Sequence, residues 1–173
     1  HKFLFEDIYL FAGILRDENI CKGEFRFASF EYIEPELNRL MRELKNENYL
    51  KGLNKEELAK RLAYYLSELN VLHPFREGNG RTQRIFIETL AKINGICLDL
   101  TNVSRLDMIK ASHDGIECNY ERLINIFKKN SYTLSDEEKA KYINIYCSDK
   151  VKNSNSINSN ISNWINIFWD KVY

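Results

Sequence analysis

His73, Glu77, Gly78, Asn79, Gly80, Arg81 and Arg84 fall within one stretch, HPFREGNGRTQR, residues 73–84. Only Pro74 and Phe75 are apolar there, and neither a helical nor a strand period runs through it, so it is no ordinary core segment. Gly78-Asn79-Gly80 stands just before an apolar-periodic stretch. The unpaired N–H groups of a helix start, together with the positive end of its dipole, make an anion site. Glycines permit the positive φ values that curve N–H groups into a nest and let a phosphate approach the backbone. Arg81 and Arg84 share a helix face and can reach further phosphate oxygens. Glu77 would repel phosphates unless a divalent cation lay between them, and Mg²⁺ is commonly held by one or two carboxylates plus substrate phosphates. His73, with an ordinary pKa of about 6.5, is a candidate neutral base for an attacking hydroxyl. Base, metal ligand and nest together describe phosphate chemistry.

Helices must position this loop. Leu58, Leu62, Tyr65, Leu66 and Leu69 form the stripe of a helix that ends before it, N-capped by Asn54 with Glu57 at the capping-box position. Ile85, Phe86, Leu90 and Ile93 form the stripe of a helix that follows, with Gly95 as its C-terminal cap. Leu4, Ile8 and Phe11 predict a first helix, and Ile33, Leu37, Leu40, Met41 and Leu44 behind Pro35 a second. Between these, Phe25, Phe27 and Ala28 alternate after a Lys22-Gly23-Glu24 turn signal, which predicts a β-hairpin, the one strand-like stretch. Ser104 with Asp107, Asn119, and Ser135 with Glu138 mark three further helix starts. The expected fold class is all-α with one short β-hairpin. A helical extension is expected over 131–152, a polar Asn/Ser linker over 153–160, and a last amphipathic helix over 161–173 with Trp164 and Phe168 on its apolar face.

The 173 residues, 44% apolar and 29% charged, suit a single domain with a real core. Lys plus Arg equals Asp plus Glu, 25 against 25, so no global field draws in nucleic acid or an anionic membrane, and neither is an expected partner. Cysteines 21, 97, 118 and 147 and histidines 1, 73 and 113 form no zinc pattern. The four cysteines read as free, mostly buried thiols of a reducing compartment, and the expected location is cytoplasmic. No apolar run approaches the ~18 residues of a membrane span, and no signal-peptide pattern opens the chain. It begins at His1 already in helical register, so upstream sequence is expected to be missing.

HPFREGNGRTQR fits every fixed position of the motif HPFx(D/E)GNGRxxR, and the chain resembles the Fic-domain proteins of the Fic/Doc family. The resemblance extends to HKFLFEDIYLFAG, KGEFRFA and LAYYLSELN, so 1–130 is expected to be a mainly α-helical Fic core with a hairpin flap. It implies a protein adenylyltransferase, which moves AMP from its substrate ATP to a Ser, Thr or Tyr hydroxyl of a target protein and releases pyrophosphate. By this resemblance His73 activates the hydroxyl and Glu77 holds Mg²⁺ on the phosphates. Gly78, Asn79 and Gly80 are the nest, and Arg81 and Arg84 bind the β- and γ-phosphates. Phe75 anchors the loop in the core, and Pro74 shapes its entry. Lys22, Gly23, Glu24 and Phe25 belong to a flap that positions the target by main-chain pairing.

Doc toxins of the same family phosphorylate instead and carry a lysine for one glycine, so the intact Gly-Asn-Gly implies AMP transfer. The alternatives are another phosphate donor such as UTP, removal of AMP, or a silenced nucleotide-binding module. Many family members are restrained by a helix with Ser or Thr, three residues, Glu, then Gly or Asn. Thr133 to Glu137 has the spacing but is followed by Glu138, and SDKVKN from Ser148 puts Lys152 in place of the Glu. The chain reads as toxin-like, with the restraint expected upstream, in a separate antitoxin-like protein, or nowhere.

Overall fold

A computed structural model describes residues 1–23, 25–139 and 141. They form two compact units, one of residues 1–14 with the described residues from Thr133 on, the other Leu15–Tyr132. Glu24, Cys147, the expected linker at 153–160 and the expected helix at 161–173 lie outside the described residues.

In the first unit α1 is a single turn, Lys2–Phe5, shorter than the spacing of Leu4, Ile8 and Phe11 predicts. Glu6 and Asp7 follow it directly, and negative charge at the C-terminal end of a helix opposes its dipole. The chain goes on in turns instead, with Ile8 N–H donating to the Phe5 carbonyl at 2.9 Å and Ala12 N–H to that of Tyr9 at 3.1 Å. Gly13, at φ +83°, donates its N–H to His1 Nδ1 at 2.8 Å. The expected Ser135 start is present: Ser135 N–H donates to Glu138 Oε2 at 2.8 Å, and Glu138 N–H returns to Ser135 Oγ at 3.2 Å.

The second unit opens with the predicted hairpin, β1 (Cys21–Lys22) antiparallel to β2 (Phe25–Arg26). Helices α2 (Ile33–Asn46), α3 (Lys55–Leu72) and α4 (Asn79–Ile93) follow. After β3 (Ile96–Leu98) come α5 (Arg105–Ile116), α6 (Glu121–Lys129) and β4 (Ser131–Thr133). The fold is mainly helical, as expected. β3 and β4 form a second strand pair that the sequence reading lacks, because three-residue strands are too short to show an alternation.

α3 is the central helix. Its buried residues run from Leu58 to Leu72 and include Ala63 and Tyr65 at no exposure, and α2, α4, α5 and α6 all pack against it. A helix apolar on so many sides belongs in a core. Gly115 lets α5 approach closely, since a Cβ there would collide with Ser67 Oγ of α3. At the start of α3 the capping box forms, with Asn54 Oδ1 accepting from the N–H groups of Glu56 at 3.0 Å and Glu57 at 2.9 Å.

Two expectations are corrected in this unit. Ile85 of α4 is 39% exposed while Ile87 is fully buried, so the stripe is Gln83, Phe86, Ile87, Leu90 and Ala91. Those positions follow the i, i+3, i+4, i+7, i+8 pattern, and Ile85 lies off that face. Cys21 and Cys118 are exposed and Cys97 is half-buried, against the expectation of mostly buried thiols. Cys21 sits on the hairpin and Cys118 in the turn after α5, both outside the helical core. Among the described residues no helix is long and apolar enough to cross a membrane.

Candidate active site

α3 ends because Pro74 follows His73: a proline has no N–H to donate and disfavours right-handed helix at the residue before it. His73 takes a left-handed conformation, φ 45° and ψ 60°, with its N–H on the Leu69 carbonyl at 3.0 Å. Its Nδ1 lies 3.3 Å from the Asn70 carbonyl oxygen. A carbonyl only accepts, so Nδ1 carries the proton and Nε2 keeps its lone pair. The Phe27 ring stacks on the imidazole at 3.8 Å between centroids. Burial lowers the His73 pKa to about 4, with the charges of Lys22 and Arg16 adding to the effect and the Asn70 carbonyl and Glu77 opposing it. The imidazole is therefore neutral at pH 7, the form a general base needs.

Pro74 and Phe75, at the entry of the loop, are buried. Asn79, 3% exposed, closes the loop: its Oδ1 accepts the Phe75 N–H at 2.9 Å and its Nδ2 donates to the Phe75 carbonyl at 2.6 Å. The Asn79 side chain is thus committed to the loop, and what Asn79 can offer an anion is its backbone N–H. Gly78 is the N-cap of α4 at φ +82°, and its carbonyl accepts from Thr82 N–H at 3.0 Å and Thr82 Oγ1 at 3.1 Å. Gly80 is not among the residues at positive φ; what it contributes is space, since a Cβ there would meet nothing within 4 Å. The start of α4 therefore opens onto room for a ligand.

Arg81 and Arg84 are both exposed in the first turns of α4. Glu77 accepts the Gly78 N–H at 3.0 Å and lies 3.7 Å from Arg81 Nη2. That contact is largely solvent-exposed and stabilises little. Arg76 stands at the rim, paired with Asp17 at 2.6 Å. Gln83, a variable position of the motif, is 7% exposed, and its Nε2 donates to the Leu69 carbonyl at 3.0 Å, tying α4 to the end of α3.

The hairpin lies against the base. Its register pairs Lys22 with Phe25 and Cys21 with Arg26, and Gly23 turns it at φ +62°. Phe25 meets Phe27 edge-on at 5.1 Å, and Phe27 carries the His73 stack. Ala28 N–H donates to the Val71 carbonyl of α3 at 3.0 Å.

Arg16 is the residue that the sequence reading missed. It is 2% exposed, and its guanidinium donates to four carbonyls: His73 from Nε at 2.8 Å, Glu18 from Nη1 at 2.6 Å, and Ala28 at 2.6 Å and Leu72 at 3.0 Å from Nη2. Its backbone N–H adds the Pro74 carbonyl at 2.9 Å. Leu72 and His73 close the C-terminus of α3, where carbonyls lack helical partners and a cation suits the dipole. Nothing in ILRDEN, a short charged stretch without period, singles Arg16 out.

A profile of the Fic/DOC family matches residues 1–91. The probable protein adenylyltransferase Fic of Salmonella typhimurium is 43% identical over 129 residues, which cover 75% of this chain and 64% of that protein. The protein adenylyltransferase VbhT of Bartonella schoenbuchensis is 40% identical over 130 residues, 75% of this chain and 27% of that protein. Among solved structures, the N-terminal Fic domain of a Bartonella quintana cell filamentation protein with bound ADP aligns with a TM-score of 0.73 at 30% identity, over 78% of this chain and 71% of that one. BepC of Bartonella tribocorum with bound AMPPNP aligns with a TM-score of 0.66 at 28% identity, over 69% and 59%. The chain spans less than two thirds of the length of these curated relatives.

Proposed function

The chain belongs to the Fic/DOC family, and on that premise we propose that it is a protein adenylyltransferase, transferring AMP from ATP to a Ser, Thr or Tyr hydroxyl of a target protein. The observation that carries this reading is a neutral His73, protonated at Nδ1 with Nε2 unprotonated, in the same loop as a glycine-opened helix N-terminus. Relatives named as protein adenylyltransferases and Fic domains with bound ADP and AMPPNP support it.

In the proposed reaction the target hydroxyl oxygen forms a bond to the α-phosphorus as the bond from that phosphorus to the β-phosphate bridging oxygen breaks. The hydroxyl proton passes to His73 Nε2, and pyrophosphate leaves. Backbone N–H groups at the start of α4, with Arg81 and Arg84, hold the β- and γ-phosphates and so align the α-phosphate. Phosphate charge near the imidazole raises its basicity from the low value of the free site. The flap, Lys22 to Phe25, sets the target hydroxyl in place by main-chain pairing.

The Glu77 carboxylate fits Mg²⁺. It is a hard oxygen donor, 64% exposed, on the residue before the N-cap of α4, where phosphates would gather. Glu77 would hold the ion together with phosphate oxygens, and the ion would neutralise phosphate charge.

The test is product analysis with ATP, Mg²⁺ and a cell lysate. Pyrophosphate release coupled to a nucleotide adduct on protein is expected, and excess UTP should not compete. Release of ADP, with phosphate left on the protein, would show the kinase-like use of the loop instead.

A further inference from the structure

We propose that Arg16 is a positioning residue of this site, fastening the end of the flap and the backbone of the base to each other so that the Phe27 ring is held on the His73 imidazole. The inference rests on the transferase reading for its kinetic arm, but its geometry stands apart from that reading.

The guanidinium joins three segments. Nη2 forks between the Ala28 carbonyl, one residue past Phe27, and the Leu72 carbonyl, one residue before His73. Nε takes the His73 carbonyl itself, and Nη1 takes the Glu18 carbonyl in the irregular segment that leads to the flap. Between Ala28 and Val71 runs one backbone hydrogen bond, from the Ala28 N–H at 3.0 Å, and the hairpin itself is only two residues a strand. So short a hairpin is marginal alone and needs packing to hold it. Four charge-assisted bonds from one buried, planar cation supply that hold and leave little freedom for the Phe27–His73 separation. His73 also sits in a left-handed conformation that an L-residue adopts only when its surroundings enforce it, and the bond to its carbonyl is one such restraint.

Lysine cannot replace this arrangement: its ammonium has three donors on one atom, whereas the four carbonyls are served by three nitrogens of a rigid fork. In Arg16→Lys the flap amides of Phe27 and Ala28 should exchange with solvent at least about tenfold faster, and the His73 ring resonances, shielded by Phe27, should move downfield. AMP transfer at saturating ATP should fall by about 10²-fold, the cost of a small misplacement of reacting groups, while the ATP dissociation constant stays within about threefold. A merely structural residue would leave this split between turnover and affinity unseen.

Wild-type turnover, unchanged flap exchange and unchanged His73 resonances in a folded Arg16→Lys would overturn the proposal, as would an equal loss of ATP affinity. If Arg16→Lys does not fold, Phe27→Leu removes the stack and keeps the clamp; it should show the same downfield His73 shift and the same turnover loss, and normal turnover in it overturns the proposal. If the wild-type chain transfers nothing, the transferase reading fails, and the exchange and resonance measurements still decide the role of Arg16.

Discussion

A general base must be unprotonated before its substrate arrives and must gain a proton as the bond forms. In His73 the first condition is met by burial under Phe27 and by neighbouring cations, which hold the pKa at about 4, and the Asn70 carbonyl fixes which nitrogen is the base. The residues named from the motif lie close together, because their spacing within twelve positions forces proximity. What the spacing leaves open is the partner of each polar side chain. Asn79 serves Phe75, Gln83 serves Leu69 and Arg16 serves four carbonyls, and such partners are set by tertiary placement. Asn79→Ala removes two side-chain hydrogen bonds to the Phe75 backbone, at about 0.5–1.5 kcal/mol for each. A lower Tm together with weaker ATP binding is expected by calorimetry, because the loop that presents the α4 N-terminus loses its closure. An unchanged Tm would show that water replaces the side chain without cost.

At the scale of elements, the helix caps were the most legible features. The Asn54 capping box and the Ser104 cap are contacts within three residues of sequence and were read correctly from it. The length of α1, ended by the adjacent Glu6 and Asp7, the buried face of α4 and the three-residue strands β3 and β4, too short to alternate, were not. The predicted start at Asn119 is displaced by one residue, with Tyr120 as N-cap and Asn119 Oδ1 accepting from Glu121 N–H at 3.3 Å. α3 spans eighteen residues, about 27 Å at the α-helical rise, with the cap at one end and His73 at the other. Asn54→Ala should therefore cost about 1 kcal/mol of stability, read as a shifted urea midpoint, and leave transfer activity within about twofold. A large activity loss with normal stability would mean that the start of α3 has a second role.

Across the whole molecule, the balanced charge leaves specific groups to set the pH response. His73 is depressed from about 6.5 in the unfolded chain to about 4 when folded, so between those values the unfolded state binds more protons. The stability linked to this group is intact above about pH 6.5 and is lost as pH falls toward about 4. Glu88, raised by burial, works in the opposite sense, so the difference between wild type and His73→Gln isolates the histidine. His73→Gln should flatten the fall in Tm across that window, and parallel curves would show that His73 is not desolvated. The transferase claim itself is tested most directly by label transfer to protein from α-³²P-ATP beside γ-³²P-ATP, with Mg²⁺ and lysate, for wild type and His73→Ala. Label from the α-position alone, reduced by about 10²-fold or more in His73→Ala with ATP binding retained, is the predicted result. Label from the γ-position, or α-label undiminished in His73→Ala, would contradict it.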